Sequence, residues 1–238
     1  MRVFTVTGTQ VEAGLALPQA LPENGYVWIA CSREQFQAQL ALVQKTLEQL
    51  TGQTLVDLHV SDLLNAQLPS RFDYSSHYDL MVFRRLAQRS DSAPANAANA
   101  ANGLGLQGKR PGPPVLRRID TSPVGFAVFD RVLLSVHPAD CAVREAYAAR
   151  LLASTQPEAQ APEYADLRSA GARGVPSNPA DMMLRIVSQM VDSYLDLRRE
   201  LSRQLDHWQA ELLNPRTRFN RWDALLLARM ALQHLEAL

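Results

Sequence analysis

Surplus charge is what this sequence lacks most plainly: Lys+Arg and Asp+Glu number 24 each, and the formal net charge is zero. A nucleic-acid partner would call for a basic excess or a basic stripe. Neither is present; the C-terminal arginines are interleaved with acids, as on a solvated helix face. Cysteine is scarce too. Cys31 ends an apolar run and Cys141 falls in the first turn of a predicted helix, neither with a second Cys or a His at metal-ligand spacing. Both read as buried or half-buried thiols in a reducing cytoplasm. No apolar stretch approaches the roughly 20 residues that span a bilayer, and the polar segment after Met-Arg-Val-Phe does not suit a signal peptide. The chain as written is expected to be soluble and cytosolic.

Catalytic signatures are also missing. There is no Gly-x-Ser-x-Gly elbow, and Gly103-Leu104-Gly105 lacks the strand and helix that a phosphate-cradling loop needs. Five histidines (His59, His77, His137, His207, His234) are scattered along the chain. His137-Pro138-Ala139-Asp140 holds a base and an acid close together, but at a strand–helix junction, where a surface or capping role is expected. The reading is therefore a protein that is not an enzyme.

What is present is 238 residues, 47% hydrophobic and 20% charged, enough for one large core or two small ones. Val3 to Val6 reads as a short strand and Gly25 to Cys31 as a strand buried on both faces. Ser32 with Gln35 is a capping-box signature for a helix carrying Phe36, Leu40, Val43, Leu47 and Leu50, stopped by Gly52. A short helix follows over Leu55 to Asn65, then a polar connection over Pro69 to Ser76 and a strand over His77 to Leu86. Residues Ser90 to Pro114, rich in Ala, Asn, Gly, Ser and Pro, have almost nothing to bury and are expected to form a mobile loop between strands. Strands are expected at Val115 to Ile119, Gly125 to Phe129 and Arg131 to His137, with a tight turn at Asp130-Arg131. A helix then runs to about Ala153, and Pro157 to Pro176 is a polar connection.

From Asn178, a cap followed by Pro179, the chain is all helix. Met183, Val187, Met190, Tyr194, Leu197, Leu201, Leu205, Trp208 and Leu212 make one stripe. Asn214-Pro215 stops it, and Asn220 with Asp223 opens a second helix carrying Trp222, Leu226, Met230 and Leu235. That helix reaches Leu238 without Gly, Pro or a polar cap, from which a longer natural chain is expected. The predicted fold is α/β: an α/β/α layered domain with a mixed sheet over residues 1–176, then a long antiparallel helical hairpin over 177–238. Asp57 and Asp62 lie on the short helix but five residues apart, so they do not share a face. Each offers one oxygen-ligand position for a cation such as Mg²⁺.

The order of these elements resembles a known family. Trp28-Ile29 on an early strand and a helix ending in Gly52 precede Leu58-x-x-x-Asp62-Leu63-Leu64-Asn65. His77–Leu86, Val124–His137 and Leu184–Tyr194 follow in order, with Ile186-Val187…Val191-Asp192-Ser193-Tyr194 the most specific stretch. This succession resembles the CorA family of divalent-metal channels over nearly the whole chain outside the Ala/Asn-rich segment. The resemblance implies a regulatory or assembly domain on the cytoplasmic side of the inner membrane. In the family this domain leads into a stalk helix and two membrane spans with a Gly-Met-Asn signature. It further implies a homopentamer, transport of Mg²⁺, Co²⁺ or, in one branch, Zn²⁺, and no organic cofactor. Regulatory Mg²⁺ in such proteins sits between carboxylates of neighbouring protomers. Here Asp62 matches the second carboxylate of a Glu-Asp pair, Ser61 stands in place of the Glu, and Ser188 in place of a further aspartate. Asp62 is thus the expected metal residue. The alternative is a free-standing soluble protein whose helical hairpin mediates interaction.

Overall fold

The computed structural model describes residues 1–87, 119–139, 141–153, 174–214 and 222–236. Outside them lie the expected loop at 90–114, the expected strand at 115–119 except Ile119, Asp140, most of the 157–176 connection, Pro215, Asn220 and Leu238.

The strands are β1 (Arg2–Thr7), β2 (Gln10–Gly14), β3 (Tyr26–Ser32), β4 (Arg71–Tyr74), β5 (Asp79–Leu86), β6 (Thr121–Val128) and β7 (Val132–His137). The helices are α1 (Arg33–Ala38), α2 (Leu40–Thr51), α3 (Asp57–Leu64), α4 (Ala142–Ala153), α5 (Pro179–Leu213) and α6 (Trp222–Glu236). The strands form one mixed sheet in the order β2-β1-β3-β7-β6-β5-β4. The central pair β3–β7 is parallel, while β1–β2, β1–β3, β6–β7 and β4–β5 are antiparallel. Every residue of β3 and β7 is buried, as expected for strands covered on both faces.

Strand alternation divides the buried side chains into two clusters. Val27, Ile29, Cys31, Leu134 and Val136 join Phe36, Val43, Leu47 and Leu63 from α1–α3 on one face. Phe4, Trp28, Phe126 and Leu133 join Tyr147 and Leu151 from α4 and Met182, Ile186 and Met190 from α5 on the other. The layered α/β/α reading holds.

Local chemistry explains the element ends. Ser32 and Gln35 form the reciprocal capping box. Gly52 closes α2 in the left-handed conformation at φ 74. Asn178 Oδ1 accepts from the Asp181 N–H at the start of α5. The hairpin turn at Asp130-Arg131 is closed by the Phe129 N–H donating to the Val132 carbonyl at 2.9 Å.

The structure also departs from the sequence reading. The helix expected without a break from Ser32 to Gly52 is interrupted at Gln39 (φ −117, ψ 22), and both parts still face the same core. β2 was not foreseen, and the polar connection at Pro69 to Ser76 contains β4. Both are edge strands with few buried side chains, so neither carries a strong hydrophobic pattern.

The chain comprises two compact units: Met1–Arg85 with Ser122–Met190, and Leu86–Thr121 with Val191–Leu238. In the second, Val191–Leu213 of α5 and α6 form the antiparallel hairpin. Among the described residues Leu201, Gln204, Trp208, Ala228 and Ala231 are buried there, and a groove of about 340 Å³ is lined by Leu205, Gln209, Leu225, Leu226, Arg229, Leu232 and Gln233.

Candidate metal site

Asp62 is held in the first unit by α3, whose Leu63 side chain rests on the bare backbone of Gly125 in β6; a Cβ there would meet Leu63 Cδ2 and make that side chain shift. Asp57 is exposed and Asp62 is 8% exposed, so the two carboxylates do occupy different faces. Ser61 is exposed, and Ser188 Oγ donates to the Leu184 carbonyl one turn back on α5.

The partner of Asp62 is an arginine. Arg71, the first residue of β4, places Nη1 3.3 Å from Asp62 Oδ2. The approach is close enough for an ion pair but off the axis of a hydrogen bond, and Oδ2 has no hydrogen-bond partner and is sealed from solvent. The same guanidinium donates from Nη2 to Asp73 Oδ2 at 2.7 Å. The Tyr74 N–H bonded to Asp73 Oδ1 holds the Asp73 carboxyl below its ordinary value, and Arg71 adds to the effect.

The network continues into His59, 5% exposed, whose Nε2 is 3.6 Å from Asp73 Oδ2 and whose Nδ1 is 2.7 Å from Tyr78 Oη. Tyr78 Oη accepts from the Val56 N–H at 2.9 Å. Its own hydrogen then serves His59 Nδ1, which leaves the imidazole proton on Nε2, facing a carboxylate that can only accept.

These residues do not fit a Mg²⁺ centre contained in one chain. Mg²⁺ takes about six oxygens in near-octahedral geometry, most of them water, and needs one or two carboxylates free to face it. Asp62 offers one carboxylate whose buried oxygen already has a guanidinium beside it, and among the described residues no three or more His, Cys, Asp or Glu converge.

On the other face of the sheet lies a second polar group, which contradicts the surface or cap role expected for His137. His137 is fully buried. Its Nε2 is 2.8 Å from Ser135 Oγ and its Nδ1 3.3 Å from Cys141 Sγ. Ser135 Oγ also accepts from Trp28 Nε1 at 2.7 Å. Burial, with Arg144, Arg85 and Arg33 adding, pushes the His137 imidazole down to about 3, so it is neutral. Cys141 therefore does have a histidine within reach, which the sequence reading missed because the four-residue spacing crosses a strand–helix junction. Cys31, also buried, donates to the Ser135 carbonyl at 3.6 Å, and burial raises its thiol to about 12, which leaves it inert.

A cleft of about 500 Å³ is lined by Leu21, Leu50, Ser75, His77, Asp79, Asp130 and Arg131, among others. Arg131 is engaged there with the carbonyls of Pro22, Glu23 and Gly25.

No protein-family model and no curated protein matches the sequence. Solved structures do match. The full-length CmaX protein aligns with 99% of this chain at a TM-score of 0.62 and 14% identity, over 59% of its own length. The CorA magnesium transporter from Methanocaldococcus jannaschii aligns with 100% of this chain at 0.60 and 14%, over 58% of its length. The ZntB cytoplasmic domain from Vibrio parahaemolyticus RIMD 2210633 aligns with 87% at 0.51 and 11%, over 64% of its length. The chain thus spans less than two thirds of each. The likeness is one of fold: this chain has the fold seen in CorA-like proteins, and fold alone assigns neither an ion nor an activity.

Proposed function

We propose that this chain is the cytoplasmic, regulatory or assembly part of a CorA-like divalent-cation transport protein. The observation that carries the reading is the extent of the fold match. All or nearly all of this chain, sheet and helical hairpin together, aligns with a magnesium transporter and with CmaX. No helix among the described residues is long and apolar enough to cross a membrane. In this reading the chain supplies no pore and no chemistry of its own. It assembles, as a homopentamer, beneath spans that belong to a longer polypeptide at the inner membrane. Mg²⁺ or Co²⁺ is the cargo, with Zn²⁺ the alternative.

The test is to read the gene beyond the Leu238 codon and to measure Mg²⁺, Co²⁺ and Zn²⁺ flux through its full product in proteoliposomes. A continuing frame with two apolar spans, Gly-Met-Asn between them, and flux of one of these ions is expected. A stop codon directly after Leu238 overturns the reading. It would favour the second one, an interaction protein working through its helical hairpin. That reading is supported by Trp222, Leu226 and Met230, which lie four residues apart on α6 and are 55%, 56% and 62% exposed.

A further inference from the structure

We infer that Arg71 is the built-in counter-cation of Asp62 and takes the place of a divalent ion there, so that the domain closes around this carboxylate without metal. The inference stands on the side chains of the first unit and not on the transport reading.

Three observations lead to it. The first is electrostatic. Asp62 Oδ2 is sealed from water, and a buried carboxylate without a compensating charge strongly destabilises a fold. The Arg71 guanidinium, 3.3 Å away, is the cation that the described structure places at ion-pair distance from it. The second is topological. Arg71 reaches two carboxylates on two elements at once, Asp62 on α3 and Asp73 on β4. Bridging carboxylates from separate elements is what a divalent ion does; here a planar, permanently charged side chain does it with covalently attached donors. The third concerns the donor set. Besides Asp73 Oδ2, the neighbour of this carboxylate pair is His59 Nε2 at 3.6 Å, whose proton points toward the carboxylate and offers a metal no lone pair. An entering Mg²⁺, even one that kept most of its waters, would have to displace the guanidinium that both carboxylates already hold.

The consequence is a domain whose edge strand β4 is fastened to α3 at any Mg²⁺ concentration. The experiment uses the 238-residue chain and its Asp62→Asn, Arg71→Gln and double variants. Each is melted in EDTA and in millimolar Mg²⁺ at matched ionic strength. The wild-type Tm is expected to be equal in the two buffers. Arg71→Gln is expected to lower Tm by about 2–4 °C. Asp62→Asn is expected to lower it too, and the double variant to lose less than the sum of the two, with the same coupling in both buffers. A wild-type Tm that rises by several degrees with Mg²⁺, the rise vanishing in Asp62→Asn, would overturn the inference and make Asp62 a metal ligand. So would strictly additive losses. If Asp62→Asn does not fold, Arg71→Gln decides alone, because Arg71 reaches the surface and its loss leaves the core packed. A variant as stable as the wild type in EDTA would show that Arg71 is not the counter-cation.

Discussion

One sheet buries a histidine on each of its faces, and the two are kept in opposite ways. On the α1–α3 face His59 belongs to a charged chain, Asp62–Arg71–Asp73–His59–Tyr78, whose outer members reach water: the side chains of Arg71 and Asp73 are 36% and 32% exposed. On the α4–α5 face His137 belongs to an uncharged chain, Trp28–Ser135–His137–Cys141, all of it buried. Among the described residues no carboxylate is bonded to His137, and the charges acting on it are those of Arg144, Arg85 and Arg33. Of these two chains, the charged one has a counter-charge and a route to solvent at Arg71 and Asp73, and the sealed one is built of neutral groups bonded to each other, with the buried Arg85 acting on His137 through space.

The sharpest way to break the contrast is to open the sealed chain at its hub. Ser135 Oγ serves Trp28 Nε1 and His137 Nε2 together, so Ser135→Ala leaves two fully buried polar groups without their partner. A loss of about 2–4 kcal/mol is expected, read as a lower midpoint in urea denaturation at unchanged slope. A loss below about 0.5 kcal/mol would mean that the chain does not behave as a sealed unit.

The next effect separates the faces by pH. The native His137 imidazole titrates near 3, below its ordinary 6.5, because burial and then Arg144, Arg85 and Arg33 oppose its charge. As pH falls through 6.5 the unfolded chain takes up this proton and the native state does not. Stability contributed by the neutral imidazole is therefore full above that value and is lost steadily down to about 3. The slope is up to about 1.4 kcal/mol per pH unit. The carboxyls of Asp73 and Asp181 sit below 3.8, so their contributions persist above that value and vanish only in stronger acid. His137→Gln should flatten the stability–pH curve across the histidine window. A variant curve parallel to the wild type would remove His137 as the acid-sensitive group.

The sequence made some of this legible and hid the rest, for physical reasons. Signals written within one turn of chain were readable: the Ser32/Gln35 box, the Gly52 stop and the Asn178 cap each satisfy backbone groups a few residues away. The unbroken apolar run of β3 and the α5 stripe were readable as well, since the nine stripe residues are all buried or half-buried. The candidate site was half readable. Asp62 could be found, but its partner lay in a stretch read as a loop. The alternation Arg71-Phe72-Asp73-Tyr74, with charges on one side and aromatics on the other, was the available signal for an edge strand. Nothing local says that such a strand will turn Arg71 toward α3, because that follows from the order of strands in the sheet. His137 was misread for a similar reason. Its surroundings include the Phe126 ring of β6, 6.2 Å away between centroids, and Cys141 beyond the end of β7, and neither contact is written in a local pattern.

The smallest effect tests whether the charged face is as open as it looks. Tyr78→Phe removes the hydroxyl that accepts from the Val56 N–H and serves His59 Nδ1. It keeps the ring, whose centroid lies 4.8 Å from that of Phe129 and 5.4 Å from that of His59. Two polar groups lose a partner, the same number as in Ser135→Ala. Val56, however, is 51% exposed, so water can replace the phenol at the start of α3. A loss of about 1 kcal/mol is expected, well under that of Ser135→Ala in the same denaturant series. Equal losses would show that the α3 face excludes water as completely as the other, and the contrast between the faces would then rest on charge alone.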